Sequence, residues 1–572
     1  MKSINIILFA GLFLVSCHSV LDKTPLDEIT EATFWNSATD LELYINGFYP
    51  MLRGNVNYYN NDNNSDNMQP LSPNSILDGS RSVPATGGGW GWADVREINY
   101  FLENAAEVTE GNQADINHYL GEGYFFRAFL YFAKVKRFGD VPWYDKVLNI
   151  DSEELYAPRE RRDVIIDHII DDLDNAISRL KTRSDIGATR INKESALLFK
   201  SRVSLYEGTW EKYHAGTVFG VEGSTGDKYL NLAVQSAEEL MNIDGVELFS
   251  TGEPATDYFN LFGMDDLSGN SEALLIETVD PTQDLGTWTW TYLNGQRGNG
   301  TGITKSLIQD YLDINGMPIS ISNMYEGDET LSDVVSNRDP RLNQSLWTPG
   351  KISINSDPPV IFKVPPLEKG ASDMTTTGYM VRKGSTVDPT QNTGSSTDRY
   401  GKVDGMVFRY AEALLNFAEA KAELGALTQE DLDRSINLIR QRAGMPDLTV
   451  EVGFVDPQWD FPSLSPIINE IRRERRVELA FEGFRHDDLM RWRAAHLFQG
   501  RRLKGARFIK GVSFPEIEDQ ISEIPVDDQN YIDRYQSVIP SGFSFDESRD
   551  YLFPIPTNEL TLNENLVQNP GW

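Results

Sequence analysis

FRYAEALLNFAEAKAELG (residues 408–425) is followed almost at once by LTQEDLDRSINLIRQRAG (residues 427–444). In both segments apolar residues recur at three- and four-residue spacing, which is typical of a helix with one buried face. The first segment also carries small residues, which let two helices pack closely: Ala411, Ala418, Ala420 and Ala422. We therefore predict two packed helices at 407–424 and 428–442, joined by a turn at Gly425, with the second helix ending near Ala443.

This pair looks like one tetratricopeptide unit, a repeat in which stacked helix pairs bury a continuous core. Segments 193–210 and 228–243 resemble a second, degenerate unit. The same periodicity predicts further helices at 94–108, 114–137, 160–181, 464–483 and 485–497, and a shorter one near 304–313.

Two regions break the helical pattern. Residues 53–94 are dense in Asn, Asp, Gly, Ser and Pro and predict a long irregular region. Residues 250–400 contain short β-prone runs, such as Ala273–Ile276, among Gly-, Thr- and Ser-rich stretches, where loops could carry recognition. The predicted fold is mostly α, a tetratricopeptide-like helical-pair scaffold with an irregular loop-rich portion and a few short strands.

The chain begins MKSINIILFAGLFLVSC, with Lys2 followed by an apolar stretch. This is the pattern of a secretory signal, and it is too short to span a membrane in the mature protein. Leu-Val-Ser-Cys at its end resembles the lipobox of bacterial lipoproteins, in which the cysteine thiol is acylated. Cys17 is the single cysteine of the chain, so we expect a lipid anchor there; the alternative is an ordinary signal with a leftover cysteine.

Composition excludes one class of partner. The 572 residues include 86 acidic and 52 basic side chains, a formal net charge of −34. Because sequence-independent phosphate binding needs a positive surface, we expect no nucleic-acid partner. The acidity is typical of a well-solvated secreted surface.

The sequence matches none of the catalytic or metal-binding motifs that we considered. The six histidines form no HExxH pattern or Cys/His cluster, and the segment 300–306 lacks the glycine that precedes the lysine of a phosphate loop. NNDNNSDN at 60–67 partly suggests calcium through Asp62, Asn64 and Asp66, but it lacks the later Gly and Glu of an EF-hand, which favours a plain polar loop. We expect no catalytic residues, metal or cofactor.

IINEIRRERRVELAFEGFRHDDLMRW (467–492) has the densest charge pattern. On a helix, glutamates at intervals of four stack on one face, within a turn of Arg473 and Arg475. A salt-bridged structural helix is favoured over a carboxylate site. The glutamates are Glu470, Glu474, Glu478 and Glu482.

Aromatic residues in loops give the best indication of a binding site. Trp90 and Trp92 flank a glycine in GGGWGWADV (87–95), and Trp288, Trp290 and Tyr292 alternate in GTWTWTYLNGQRGNG (286–300). Flat rings beside polar groups suit the apolar C–H faces and hydroxyls of sugars. Core packing is the alternative. For Trp90 and Trp92, core packing is as well supported as ligand contact. For the aromatic residues at 288–292, the polar, Gly-rich surroundings favour a binding site.

Several long motifs resemble those of the RagB/SusD family of outer-membrane nutrient-binding lipoproteins, and the likeness spans essentially the whole chain. They are LDKTPLDEITEATFWNSATDLELYINGFYPML (21–52), GYFFRAFLYFAKVKRFGDVPWY (123–144), FRYAEALLNFAEAKAELG (408–425), NLIRQRAGMP (437–446), RRERRVELAFEGFRHDDLMRW (472–492) and YLFPIPTNELTLNENLVQNPGW (551–572).

The resemblance implies a mostly helical, non-enzymatic binding protein. Such proteins are exported, lipidated and displayed at the surface of the outer membrane, like a lid on a SusC-like TonB-dependent transporter, and usually bind glycans. It also implies three divisions: a signal peptide at 1–16, a helical region with a long ligand-side loop at 17–250, and a C-terminal region with mid-chain loops and tetratricopeptide-like helices at 251–572. A peptide-binding relative and a scaffold without ligand stay open as alternatives.

The resemblance places the ligand face in the loop-rich segment after the first helix and in mid-chain loops. It also implies that one tryptophan before residues 96–104 packs in the core. The candidate ligand-binding residues are therefore Asn74, Asp78, Arg81, Trp90 and Trp92, with Trp288, Trp290, Tyr292 and Arg297.

Overall fold

A computed structural model describes residues 34–52, 57–283, 285–287, 292–391, 401–515 and 524–572. Cys17 and the predicted signal peptide lie outside these residues. The described part is mostly helical with few short strands, as predicted. Within it, no helix is both long enough and apolar enough to cross a bilayer.

The first half of the chain confirms the five helices predicted between residues 94 and 243. Polar caps fix several starts; the Asn112 side chain, for example, accepts a hydrogen bond from the Ala114 N–H. The helices are α1 (Ala38–Ile45), α2 (Ser75–Asp78), α3 (Ala93–Ala105), α4 (Gln113–Phe138), α5 (Arg162–Arg179), α6 (Arg183–Ile186), α7 (Lys193–Tyr213) and α8 (Asp227–Met241).

The second half has shorter helices than the periodicity predicted. The helix expected at 428–442 is broken at Ser435, whose φ of −135° and ψ of −96° are not helical. The helix expected at 464–483 ends at Glu478, and Phe481 then adopts a φ of +70°. The helices are α9 (Asp257–Phe262), α10 (Lys305–Asp310), α11 (Leu331–Val335), α12 (Pro340–Ser345), α13 (Tyr410–Glu423), α14 (Gln429–Asp433), α15 (Ile436–Arg442), α16 (Pro466–Glu478), α17 (Arg485–Arg491) and α18 (Thr557–Leu562).

The described residues also contain two antiparallel strand pairs. β1 (Ala273–Glu277) contains the predicted run and pairs with β4 (Gly405–Arg409), while β2 (Ile352–Ile354) pairs with β3 (Val360–Ile361). The helix predicted from residue 407 therefore starts at Tyr410, because Val407 and Phe408 belong to a strand beside β1.

Helix pairs form the scaffold. α4 packs against α5 and α7 against α8, and α13 packs mainly on α7 and α8. The two predicted tetratricopeptide-like units thus pack against each other. The larger hydrophobic core runs from Leu41 to Ile555 and so draws on both sides of residue 250; a second core, from Tyr58 to Ile532, lies under the loops.

The charge-dense segment is a salt-bridged structural helix, as favoured, but its partners come mostly from other elements. The Glu478 carboxylate contacts the guanidiniums of Arg341 (3.0 Å), Arg409 (2.8 Å) and Arg442 (2.5 Å), on three different parts of the chain. We call this cluster the buried ion network; its members are Glu272, Arg341, Arg409, Arg442, Glu474, Glu478 and Glu482, all buried.

Charge balance inside the network holds Glu478 ionised. Burial by itself would raise the pKa of Glu478, but the guanidiniums of Arg442, Arg409 and Arg341 outweigh it and hold that pKa far below its usual range. The network ties α12, β4, α15 and α16 together, and α16 in turn positions the loop described next.

Candidate functional site

Residues 57–71 form a polar loop that is anchored on the turn between α16 and α17. The Asp62 carboxylate accepts hydrogen bonds from the N–H groups of Phe481 (2.8 Å) and Gly483 (3.0 Å). The Asp66 carboxylate receives two hydrogen bonds from Arg485 (2.7 and 2.8 Å) and one from Arg476 (3.0 Å). Burial raises the pKa of Asp66, but the guanidiniums of Arg476 and Arg485 reverse that effect and lower it well below its usual range.

This geometry gives the segment NNDNNSDN a structural role. Asp62 and Asp66 are buried, and protein donors occupy their oxygens, so these carboxylates do not form a calcium loop. Across the described ranges, no group of three or more His, Cys, Asp or Glu residues could hold a metal ion.

A mid-chain loop, residues 292–304, lies between this anchored loop and residues 371–377. On one side, the Gln69 N–H donates to the Gly302 carbonyl (2.8 Å). On the other side, the Gly298 N–H donates to the Asp373 carbonyl (2.7 Å) and the Gly300 N–H donates to the Met374 carbonyl (3.0 Å). Backbone hydrogen bonds therefore fix three segments that are distant in sequence into one surface.

We call the polar and aromatic part of this surface the loop face, defined by Tyr59, Asn63, Tyr292, Arg297 and Asp373. The rings of Tyr59 and Tyr292 are 4.7 Å apart between centroids, inclined by 37°, and both residues are half-buried. Arg297 Nε lies 3.5 Å from Asp373 Oδ1, with side chains 42% and 36% exposed. Aromatic and charged groups are thus presented together at the surface.

A groove shares the mid-chain loop with the loop face. It is a cavity of about 540 Å³ whose lining includes Gly295, Gln296, Phe362 and Lys369. Lys369 Nζ donates to the Gln296 carbonyl (3.0 Å), which closes one side of the groove. Its volume falls within the range of about 300–1,000 Å³ that is usual for small-molecule sites.

The predicted site residues divide between several places. Tyr292 and Arg297 lie on the loop face, whereas Trp288 and Trp290 lie outside the described residues. The Asn74 side chain caps α2 by accepting from the Ile76 N–H (2.9 Å), and Asp78 accepts from the Ser80 N–H (2.8 Å). These two side chains thus have local structural roles, and their contact with a ligand stays a prediction.

Arg81 differs from expectation. Its guanidinium contacts the Asp550 carboxylate (3.1 Å) and lies 4.3 Å from the centroid of the Phe553 ring, with a side chain that is only 6% exposed. The structure therefore gives Arg81 a packing role that holds the C-terminal segment, instead of a position on an open binding surface.

Trp90 and Trp92 lie away from the loop face, in and beside the larger core. Trp90 is 4% exposed and packs edge-on against Phe138, at 4.9 Å between centroids. Trp92 is half-buried and packs edge-on against Tyr144 at 5.1 Å. Both line a separate cavity of about 470 Å³, here called the tryptophan cavity, whose walls include Trp90, Trp92, Tyr144, Tyr156, Leu562 and Leu566.

Sequence reasoning missed three members of the loop face. Tyr59 lies in the region that was predicted only to be irregular, with adjacent tyrosines at 58 and 59 as its local signal, and Asn63 lies in the 60–67 segment, which was interpreted as a plain polar loop. Asp373 carries no signal, because its relation to Arg297 exists only after residues 292–304 and 371–377 pack together.

Comparison with protein families identifies two matching regions. Residues 277–572 match the model described as the SusD family, and residues 88–205 match one described as starch-binding and associating with the outer membrane. The first match covers more than half of the chain.

Individual relatives are similar over nearly their full lengths. A SusD-like protein P2 of Formosa agariphila is 23% identical, with 98% of each chain covered. The crystal structure of a SusD-like protein of Bacteroides fragilis is 25% identical, has a TM-score of 0.71, and covers 96% of this chain and 100% of its own. A structure described as containing xylogluco-oligosaccharide is 19% identical, has a TM-score of 0.58, and covers 92% and 97%.

Proposed function

The chain belongs to the SusD family, and from this premise we propose that it is a cell-surface lipoprotein that captures an oligosaccharide at the loop face and delivers it to a SusC-like TonB-dependent transporter. The observation that carries the proposal is that the Tyr59–Tyr292 aromatic pair and the Arg297–Asp373 ion pair both involve the mid-chain loop, which also contributes Gly295 and Gln296 to the lining of a groove. The starch-binding description of one matching family and the xylogluco-oligosaccharide in one neighbouring structure support a glycan as the ligand.

The chemistry of the loop face suits a sugar. A pyranose ring stacks its C–H face on a tyrosine ring, which removes apolar surface from water at roughly 25 cal/mol per Å². Its hydroxyls can then bond to the guanidinium and carboxylate of Arg297 and Asp373, and hydrogen bonds to charged groups are roughly twice as strong as neutral ones. Because the side chains of Arg297 and Asp373 are exposed, their ion pair contributes little to stability. Replacing this contact by hydrogen bonds to sugar hydroxyls therefore costs little free energy.

The experiment is a binding screen of the purified protein against oligosaccharides and peptides by isothermal titration calorimetry. We expect binding of at least one oligosaccharide class and none of the peptides. Binding of peptides alone would replace the glycan proposal with the peptide-binding alternative, and binding of neither would favour a scaffold. Release of sugar from a bound polysaccharide would overturn the proposal of a binding protein without catalysis.

Cys17 carries the proposed membrane attachment. We predict that Cys17→Ala moves the protein from the membrane fraction to the soluble fraction, because the acyl chains that would hold it can no longer be attached. Ser16→Ala is the matched control, since alanine is also a small residue before the modified cysteine, and we expect it to stay in the membrane fraction. Membrane retention of Cys17→Ala would contradict the anchor, while unchanged oligosaccharide binding by both purified variants would show that anchor and site are separate.

Delivery requires that the anchored protein stay close to its transporter. A lipid anchor confines both to one membrane, which raises their effective concentration. Ligand binding must then favour the conformation from which the sugar is handed over. Co-purification of the two proteins from outer membranes tests this step.

A further inference from the structure

The tryptophan cavity is a second possible binding site, distinct from the loop face. Its volume of about 470 Å³ lies within the usual range for small-molecule sites. The rings of Trp90, Trp92, Tyr144 and Tyr156 contribute to its walls, and Tyr156 and Leu562 at its edge are 53% and 71% exposed. The cavity is therefore aromatic inside and open to solvent.

Its walls are held in place before any ligand arrives. Trp92 packs edge-on against both Trp90 (5.6 Å) and Tyr144 (5.1 Å). The Lys134 ammonium lies 4.8 Å from the Trp92 ring centroid and is itself fixed by a hydrogen bond to the Gly89 carbonyl (3.0 Å). A preformed cavity lowers the entropic cost of binding.

The side-chain amides of Asn99 and Asn563, which line the cavity, already have hydrogen-bond partners within the protein. Asn99 Nδ2 donates to the carbonyls of Tyr144 (2.8 Å) and Lys146 (3.3 Å), and its Oδ1 accepts from Arg127 (3.2 Å). Asn563 Nδ2 donates to the carbonyl of Ala157 (3.0 Å), and its Oδ1 accepts from the Asn565 N–H (2.9 Å). A sugar ring would bury several hydroxyls here without these partners, which costs free energy, whereas a phenol ring carries a single hydroxyl.

Two cationic side chains belong to the cavity lining. Arg96 and Lys146 both line the cavity and are exposed. Arg96 Nε donates to the Leu148 carbonyl (3.4 Å), and Lys146 pairs with Glu154 (2.5 Å) through side chains that are 56% and 47% exposed. Because the Lys146–Glu154 pair is solvated, a ligand carboxylate can replace Glu154 at Lys146 with little cost in free energy. Glu559 is the acidic residue of the lining, so Arg96, Lys146 and Glu559 sum to one positive charge, which Glu154 beside Lys146 offsets until a ligand carboxylate takes its place.

We propose that the tryptophan cavity binds a planar aromatic carboxylate of the hydroxycinnamate type, with its ring against the aromatic walls and its carboxylate at Arg96 and Lys146. The ring supplies apolar area and edge-to-face contacts with Trp92 and Tyr144. The carboxylate forms charge-assisted hydrogen bonds at the rim. This site is independent of the oligosaccharide site, because its residues lie on α3 and just before it, on α18 and just after it, and in the loop between α4 and α5.

The test is calorimetric titration of the full-length protein with 4-hydroxycinnamate and with its neutral alcohol, 4-hydroxycinnamyl alcohol. We expect the acid to bind, and Trp92→Ala to weaken it at least about tenfold. Ala93→Phe, which adds a ring to the cavity wall without removing a contact, should weaken it similarly. Arg96→Gln should weaken the acid about fivefold and leave the alcohol unchanged. Tyr292→Ala, on the loop face, is the control and should bind the acid like the wild type.

Three results would overturn the proposal. The first is absence of measurable binding of the acid by the wild type. The second is unchanged binding by both Trp92→Ala and Ala93→Phe, which would place the acid elsewhere. The third is loss of oligosaccharide binding in Ala93→Phe with retention in Tyr292→Ala, which would make this cavity the glycan site.

Discussion

Replacing Glu478 by alanine is expected to lower the free energy of unfolding by about 4 kcal/mol. Its carboxylate is buried and contacts Arg341, Arg409 and Arg442. Removing it leaves three guanidiniums close together in a low-dielectric interior with one fewer negative charge, and truncating one partner of a buried pair typically costs about 3–5 kcal/mol. Chemical unfolding followed by tryptophan fluorescence measures the change.

The control is the same substitution at an exposed ion pair. Glu238 contacts Arg434 at 2.6 Å, but the two side chains are 41% and 35% exposed. Glu238→Ala should therefore cost less than about 1 kcal/mol. Equal destabilisation by Glu478→Ala and Glu238→Ala would show that the buried ion network does not hold the scaffold together.

The ionised state of Glu478 predicts that the stability of the protein depends on pH. Because the folded-state pKa of Glu478 is lowered, its contribution to stability is fully present above its ordinary pKa and is lost as the pH falls toward the folded-state value. Wild-type stability should thus fall between about pH 5 and pH 2, and part of this fall should be missing in Glu478→Ala. An identical pH profile in both proteins would contradict the assigned charge state.

Substituting Gly298 by alanine is expected to reduce oligosaccharide affinity at least about tenfold, since packed sites do not absorb an added methyl group without displacement. A Cβ at this position would lie 2.0 Å from the Thr375 nitrogen and 2.2 Å from the Met374 carbonyl carbon. These are backbone atoms and cannot rotate away, so residues 292–304 must move from residues 371–377, and Arg297 must move from Asp373. Calorimetric titration with the best oligosaccharide of the screen measures the loss.

Gly269→Ala is the matched control for that substitution. Gly269 is exposed, and a Cβ there would meet no atom within 4 Å. We expect it to bind like the wild type. Wild-type affinity in Gly298→Ala would indicate that the placement of the mid-chain loop is not required for binding.

The helical scaffold was predictable because its signal is local. α4 and α7 show their apolar periodicity within a single stretch of sequence, and polar residues mark their starts. The break at Ser435 and the end of α16 before Phe481 were not predictable, since both depend on backbone conformations that tertiary packing imposes.

The candidate site was predictable only in part, because some of its residues come together only in the folded chain. Tyr292 and Arg297 stand out within one aromatic, Gly-rich stretch, and the structure places both on the loop face. Arg81 looked equally suitable, but its partner Asp550 lies near the other end of the chain. Likewise, the four-residue spacing of Glu478 from the neighbouring glutamates is visible in the sequence. Its three arginine partners are not, because they lie on other elements that only the fold brings together.

Calorimetric titration of Tyr59→Ala/Tyr292→Ala with the oligosaccharide that binds the wild type most tightly tests whether a glycan binds at the loop face. We expect at least about a hundredfold loss of affinity, because stacking on both rings disappears, with retained helical circular dichroism. Tyr156→Ala, another tyrosine-to-alanine change at an exposed position away from the loop face, should bind like the wild type. Unchanged affinity in the folded double variant would show that the glycan does not bind at the loop face.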